Sequence, residues 1–141
     1  AYACAQAAET MPEGARAFPF NYYDGLTAEE FALMTEDGKG LHAGDGEVSM
    51  LLAINPDWVD MEKANAEFPN FPETITGSPA LHNAVFFSSP GSVYRMTESG
   101  TWGDASKGTA EKGEQILEAG VQAVINLMAD YEKTIEGLEI R

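Results

Sequence analysis

From Thr109 onward, Ile116, Leu117, Gly120, Val121, Val124, Ile125, Leu127, Met128 and Tyr131 recur at steps of three and four. That is the period of an α-helix with one apolar face, and it predicts a long amphipathic helix towards the end of the chain. The strands that would pack with such a helix are few. Strand and helix signals alternate before it, yet there are too few strands to close a good parallel sheet, so the pattern reads as part of a larger α/β layer fold. The glycine-rich stretch ahead of the helix, residues 100–109, has neither phosphate-loop nor dinucleotide spacing, and a nucleotide-binding reading gets no support.

Upstream, Ala1 to Ala8 is small and weakly apolar, which fits a short buried strand ending in the turn-rich residues 9–14. Residues 18–25 are aromatic and punctuated by breakers, a loop that packs rings against a surface as a core cover or as a pocket wall. Thr27 followed by Glu29, Glu30, Phe31, Leu33 and Met34 reads as a capped short helix. A second helix is expected over residues 47–54, stopped by Asn55-Pro56. Prolines 69, 72, 79 and 90 make residues 68–100 a loop-dominated excursion with at most short strands such as residues 84–87, suited to a lid or an assembly surface.

With 141 residues the chain has the length of one domain. Its 23 Asp and Glu outweigh 8 Lys and Arg, a formal charge of -15 that repels phosphate backbones and anionic membrane surfaces. Nucleic acid and membrane are therefore poor partners. The excess charge is spread along the chain and reads first as an acidic, well-solvated surface. Cys4 is the single cysteine, so neither an intrachain disulfide nor a thiolate metal cluster can form. No run reaches the roughly 18 apolar residues of a membrane span, and the start lacks a secretory pattern. The expectation is a cytoplasmic protein. The chain opens at Ala1, as trimming of an initiator methionine or processing of a precursor would leave it.

The chemistry concentrates in His42-Ala43-Gly44-Asp45-Gly46-Glu47-Val48-Ser49. Histidine exchanges protons near neutrality, and neighbouring carboxylates can orient its ring or hold its charge. The glycines permit tight bending beside it. The segment precedes a helix, whose first turn offers unpaired N–H groups and favours Asp45 and Glu47 as anions. Asp45 has a competing role as N-cap. His, Asp and Glu also suit zinc or manganese, although no His-x-x-x-His pair is present. His82 reads as a surface hydrogen-bonding residue, Ser88-Ser89-Pro90-Gly91 as a turn, and Cys4 lacks a local base.

Residues 42–61 resemble the creatininase (creatinine amidohydrolase) family, whose members carry a His-Ala/Gly-Gly segment, then Glu-Thr-Ser, an apolar helix and a Pro-x-x-Val turn. Gly103-Asp104-Ala105-Ser106-Lys107-Gly108-Thr109-Ala110-Glu111-Lys112-Gly113-Glu114 resembles that family's second signature, which opens its last helix. Val48 stands for the usual threonine, and the tryptophan and acid that precede the histidine in creatininase itself are not matched by residues 38–41. The resemblance implies an α/β fold, a layered sandwich of creatininase type, of which residues 1–141 supply the C-terminal half. It implies a metal-dependent amidohydrolase subunit that hydrolyses a C–N bond of a small amide or cyclic amide.

The divalent ions, zinc or manganese, would be held mainly by a companion chain carrying Glu-x-His and His-Gly-Gly-Asn-like segments, in a hetero-oligomer. No metal ligand is assigned within residues 1–141. His42 matches the family histidine implicated in proton transfer to the leaving nitrogen, and Glu47 matches the carboxylate that follows it; these two are the catalytic candidates. Asp45, Ser49 and Gly44 are the supporting ones. The alternative is a non-catalytic assembly or binding subunit that retains the half-fold.

Overall fold

The structure, a computed structural model, describes residues 2–35, 39–40, 42–69 and 92–138. The chain divides into two compact units, residues 1–26 with 120–141, and residues 27–119. The expected strand at 84–87, His82 and the turn at 88–91 lie outside the described residues.

In the first unit, α1 spans Tyr2–Ala8. This corrects the expectation of a buried strand. The run is mostly alanine, the best helix former, and contains no β-branched residue that would favour extended backbone. Ala3, Gln6 and Ala7 are exposed and Cys4 is half-buried. A turn with Gly14 at φ +85° leads away from it. The aromatic loop then covers the last helix at two points: Phe18 stacks on Tyr131 with centroids 4.1 Å apart, and Tyr22 lies over Gly120. Of the two roles weighed for this loop, these contacts are those of a cover.

The second unit opens with α2, Ala28–Thr35. Its start is a reciprocal capping box, in which Glu30 N–H donates to Thr27 Oγ1 at 3.2 Å and Thr27 N–H donates to the Glu30 carboxylate at 2.7 Å. Helix α3, Asp45–Ile54, stops where Asn55 turns extended before Pro56. Two single 3₁₀ turns follow, Pro56–Trp58 and Met61–Lys63, each begun by a side chain that accepts a backbone N–H, Asn55 and Asp60.

Strand β1, Ala66–Glu67, pairs antiparallel with β2, Gly103–Asp104, in the register Ala66 to Asp104 and Glu67 to Gly103. Between them lies α4, Ser92–Met96. A 3₁₀ turn at Ala105–Lys107 leads into α5, Ala110–Gly137, whose first residues belong to the second unit and whose remainder belongs to the first. The described residues thus combine helices with one small two-stranded sheet, a mixed α and β arrangement. No helix among them is long and apolar enough to cross a membrane.

The predicted long helix is present, but its buried line is narrower than the apolar stripe. Gly113, Ile116, Gly120 and Ala123 are buried, whereas Val121, Ile125 and Met128 are at least half exposed. Small residues on that line allow close approach. A Cβ at Gly113 would collide with the Ser49 carbonyl oxygen and come within 2.9 Å of Ala53 Cβ, and one at Gly108 would lie 2.6 Å from Val48 Cγ1. Helix α3 therefore rests on the start of α5 backbone to backbone, with Ile116 and Ser49 fully enclosed.

Candidate functional site

His42 sits in an isolated antiparallel bridge with Trp102. The histidine N–H donates to the Trp102 carbonyl at 3.2 Å, and the tryptophan N–H donates back at 2.7 Å. Trp102 is buried, while the His42 side chain is exposed. The backbone at this position is fixed on both sides and the imidazole faces solvent. The next residue, Ala43, turns the chain with φ +51°, a left-handed conformation that a residue with a Cβ adopts at a cost.

Glu47, in the first turn of α3, accepts the Ala43 N–H. This is the reach-back of an N-terminal capping carboxylate, displaced by one residue beyond the N-cap. Its carboxylate thus clamps the backbone that carries His42. The N-cap itself is Gly44, in extended conformation, so Asp45 does not have the capping role weighed for it. Asp45 occupies the first helical position and forms an ion pair with Lys112 of α5, with side chains 7% and 22% exposed. Buried this far, the pair is sheltered from screening, and loss of either partner would strand the other. Ser49, fully enclosed, accepts the Thr109 N–H at 3.0 Å, and Thr109 Oγ1 in turn accepts the Lys112 N–H at 3.2 Å as the cap of α5.

All five candidates, His42, Gly44, Asp45, Glu47 and Ser49, therefore lie on one loop and helix start, and three of them are joined directly to residues 102–112. Sequence reasoning placed the two segments in one family pattern but gave no role to Trp102, Thr109 or Lys112. Backbone bridging leaves no side-chain signature, so Trp102 had none to find. Lys112 had a faint one, as a lysine in a chain with few.

Two further carboxylates hold the surrounding loops. Asp104 is pulled below the ordinary aspartate range chiefly by the hydrogen bond from Lys107, 2.8 Å away, and then by Ser106. Glu67 is lowered first by the Ser99 hydroxyl at 2.5 Å and then by the Ser99 and Glu98 N–H groups at 2.9 and 2.6 Å. Hydrogen bonds to the ionised form are the cause in both cases. A cleft of about 710 Å³ opens in this unit, lined by Leu33, Lys39, Asp45, Phe68, Lys107 and Lys112 among others.

Zinc or manganese would need several His, Asp or Glu groups converging on one point. Among the described residues no three such groups come together. Asp45 is engaged by an ammonium and Glu47 by an amide. The described donor set therefore does not fit such an ion without further ligands.

His42 is thus an exposed histidine on a backbone held by Trp102 on one side and, through Ala43, by Glu47 on the other. The creatininase family model, described as creatinine amidohydrolase, matches residues 2–128, and the chain belongs to the creatininase family. No curated protein and no solved structure matches it.

Proposed function

We propose that this chain is a subunit of a creatininase-like, metal-dependent amidohydrolase acting on a C–N bond of a small amide or cyclic amide. Family membership carries the reading. In this proposal His42 delivers a proton to the departing nitrogen, which would otherwise leave as a poor, strongly basic anion. The Trp102 bridge and the Glu47 clamp on Ala43 fix the height of that imidazole above the helix start. Asp45 and Ser49 act through Lys112 and Thr109 to hold the helix start against α5. Gly44 supplies the bend between histidine and helix.

The divalent ions, zinc or manganese, are assigned to a companion chain that completes a layered α/β sandwich of which this chain is the C-terminal half, in a cytoplasmic hetero-oligomer. Leu51 and Ile54 on the site helix and Trp58 and Met61 just after it are large apolar side chains left exposed, which favours such a partner.

The test is His42→Ala in the purified assembly assayed for amide hydrolysis. Loss of a positioned general acid lowers kcat by about 10²–10⁴-fold. The exposed side chain can be removed without unfolding the loop, so wild-type turnover in the variant would refute the proton-transfer role. Mass spectrometry and metal analysis of the same sample should find a second polypeptide and stoichiometric zinc or manganese. A metal-free, inactive assembly would instead identify a binding subunit.

A further inference from the structure

His42 takes its place from Trp102, so its position is only as definite as that of the segment carrying Trp102. Between the end of α4 at Met96 and the start of β2 at Gly103, neither helix nor strand holds that segment. Its backbone N–H groups are nonetheless engaged one after another from Thr97 to Trp102, as buried or part-buried backbone requires. Thr97 N–H donates to the Val93 carbonyl at 2.9 Å, Gly100 N–H to Thr97 Oγ1 at 3.1 Å and Thr101 N–H to Ser99 Oγ at 3.2 Å. These bonds tie the segment to itself and to the helix before it. The remaining three N–H groups reach across the unit: Trp102 donates to His42, and Glu98 and Ser99 both donate to the carboxylate of Glu67, at 2.6 and 2.9 Å.

Glu67 holds Trp102 from both sides. On one side its carboxylate also accepts the Ser99 hydroxyl at 2.5 Å, and the same hydroxyl oxygen receives Thr101 N–H, next to Trp102. On the other side its backbone, in β1, pairs with Gly103, directly after Trp102. Residues 99–103 therefore form a short arc with both feet on one residue, and Trp102 stands on that arc. Backbone tied at both ends over so few residues keeps few conformations. A carboxylate suits the task, because it is acceptor-only and its two oxygens can take all three donors at once.

We propose that Glu67 is a positioning residue for His42: its side chain and backbone bracket Trp102, and the Trp102 bridge transmits that placement to the histidine. The catalytic consequence rests on the reading of His42 as proton donor. A general acid works only within hydrogen-bond reach of its acceptor, so a loosened bracket acts on turnover while leaving substrate affinity alone.

The test pairs Glu67→Gln with Glu30→Gln. In the first, the new amide group faces an N–H donor whichever way it is turned, so at least one bond to the segment is lost. Glu30 likewise accepts a neighbour's N–H and hydroxyl, at the start of α2, so its variant reproduces the loss of such a carboxylate away from the bracket. Amide hydrogen exchange of Trp102 and His42, followed by NMR in the full chain, should accelerate by about tenfold in Glu67→Gln, the scale of one charge-assisted hydrogen bond. Glu30→Gln should leave both amides at the wild-type rate. Unchanged exchange in Glu67→Gln, or equal acceleration by Glu30→Gln, would overturn the bracket. In the purified assembly Glu67→Gln should lower kcat by about tenfold at unchanged KM. Wild-type kcat in Glu67→Gln, where His42→Ala has lost turnover, would overturn the positioning role. Full turnover in His42→Ala would instead overturn the proton-donor reading, and the exchange rates would still decide whether Glu67 places the histidine.

Discussion

Gly113→Ala is the substitution that weighs two opposed effects most directly. In a helix interior alanine is favoured over glycine by about 1 kcal/mol, so propensity alone predicts stabilisation. At Gly113, however, the new Cβ would fall on the Ser49 carbonyl oxygen and within 2.9 Å of Ala53 Cβ. The obstacle is backbone and cannot rotate away. Overpacking of this kind costs up to about 3 kcal/mol. Relief requires α5 to retreat from α3, which loosens the 3.0 Å Thr109 to Ser49 hydrogen bond at a cost of about 1 kcal/mol.

Setting the propensity gain against these losses leaves about 3 kcal/mol of destabilisation, a fall in Tm of about 10 °C for a chain this long. Thermal unfolding followed by far-ultraviolet circular dichroism measures it. Gly137→Ala is the control, because a Cβ there meets nothing within 4 Å. A Gly113→Ala protein that melts at or above the wild-type temperature would refute the backbone-to-backbone contact and the packing argument built on it.

Two other outcomes follow from the same structure. Ala43→Gly should stabilise by roughly 0.5–1 kcal/mol, since the left-handed backbone penalises a Cβ by more than glycine loses in unfolded-state entropy; unchanged or lowered stability in urea titration would remove the strain assigned to φ +51°. Glu30, Glu67 and Asp104 all titrate below their ordinary values because hydrogen bonds favour their ionised forms, chiefly the Thr27 N–H, the Ser99 hydroxyl and the Lys107 ammonium respectively. Their stabilisation is complete above the unfolded carboxylate pKa and is lost as pH falls through the lowered folded values. Unfolding free energy should therefore decline on acidification below about pH 5, and the Glu67→Gln protein should decline less steeply; an identical slope would contradict the linkage.

What the sequence disclosed was local chemistry. Thr27 with Glu30 marks the start of α2 because a capping box is complete within four residues. Asn55-Pro56 ends α3 because proline restricts the residue before it. The three-four period marks α5, though not which part of the stripe is covered, since that depends on neighbours that periodicity does not identify. The start of the chain misled because a run of small residues is apolar without being buried.

At the candidate site, His42 and its neighbours stood out by residue type, and the first-turn position of Glu47 is a sequence property. Their partners were not legible. The ammonium on Asp45, the amide on Ser49 and the carbonyl on His42 come from residues 60 to 67 positions away. Two of those three bonds involve backbone groups that every residue carries.

The spacing of those partners has a kinetic side. Neither segment can hold the site before a loop of about sixty residues closes, and closure entropy must be met before the contacts that reward it exist. The site therefore belongs to the late part of folding, and a collapsed chain with its helices formed still lacks it. Nature of the two tryptophans makes this visible from within: Trp58 is 65% exposed in the folded chain, while Trp102, the partner of His42, is 4% exposed. Burial of indole during refolding is thus almost wholly the signal of Trp102, and it marks the moment at which the histidine acquires its fixed place.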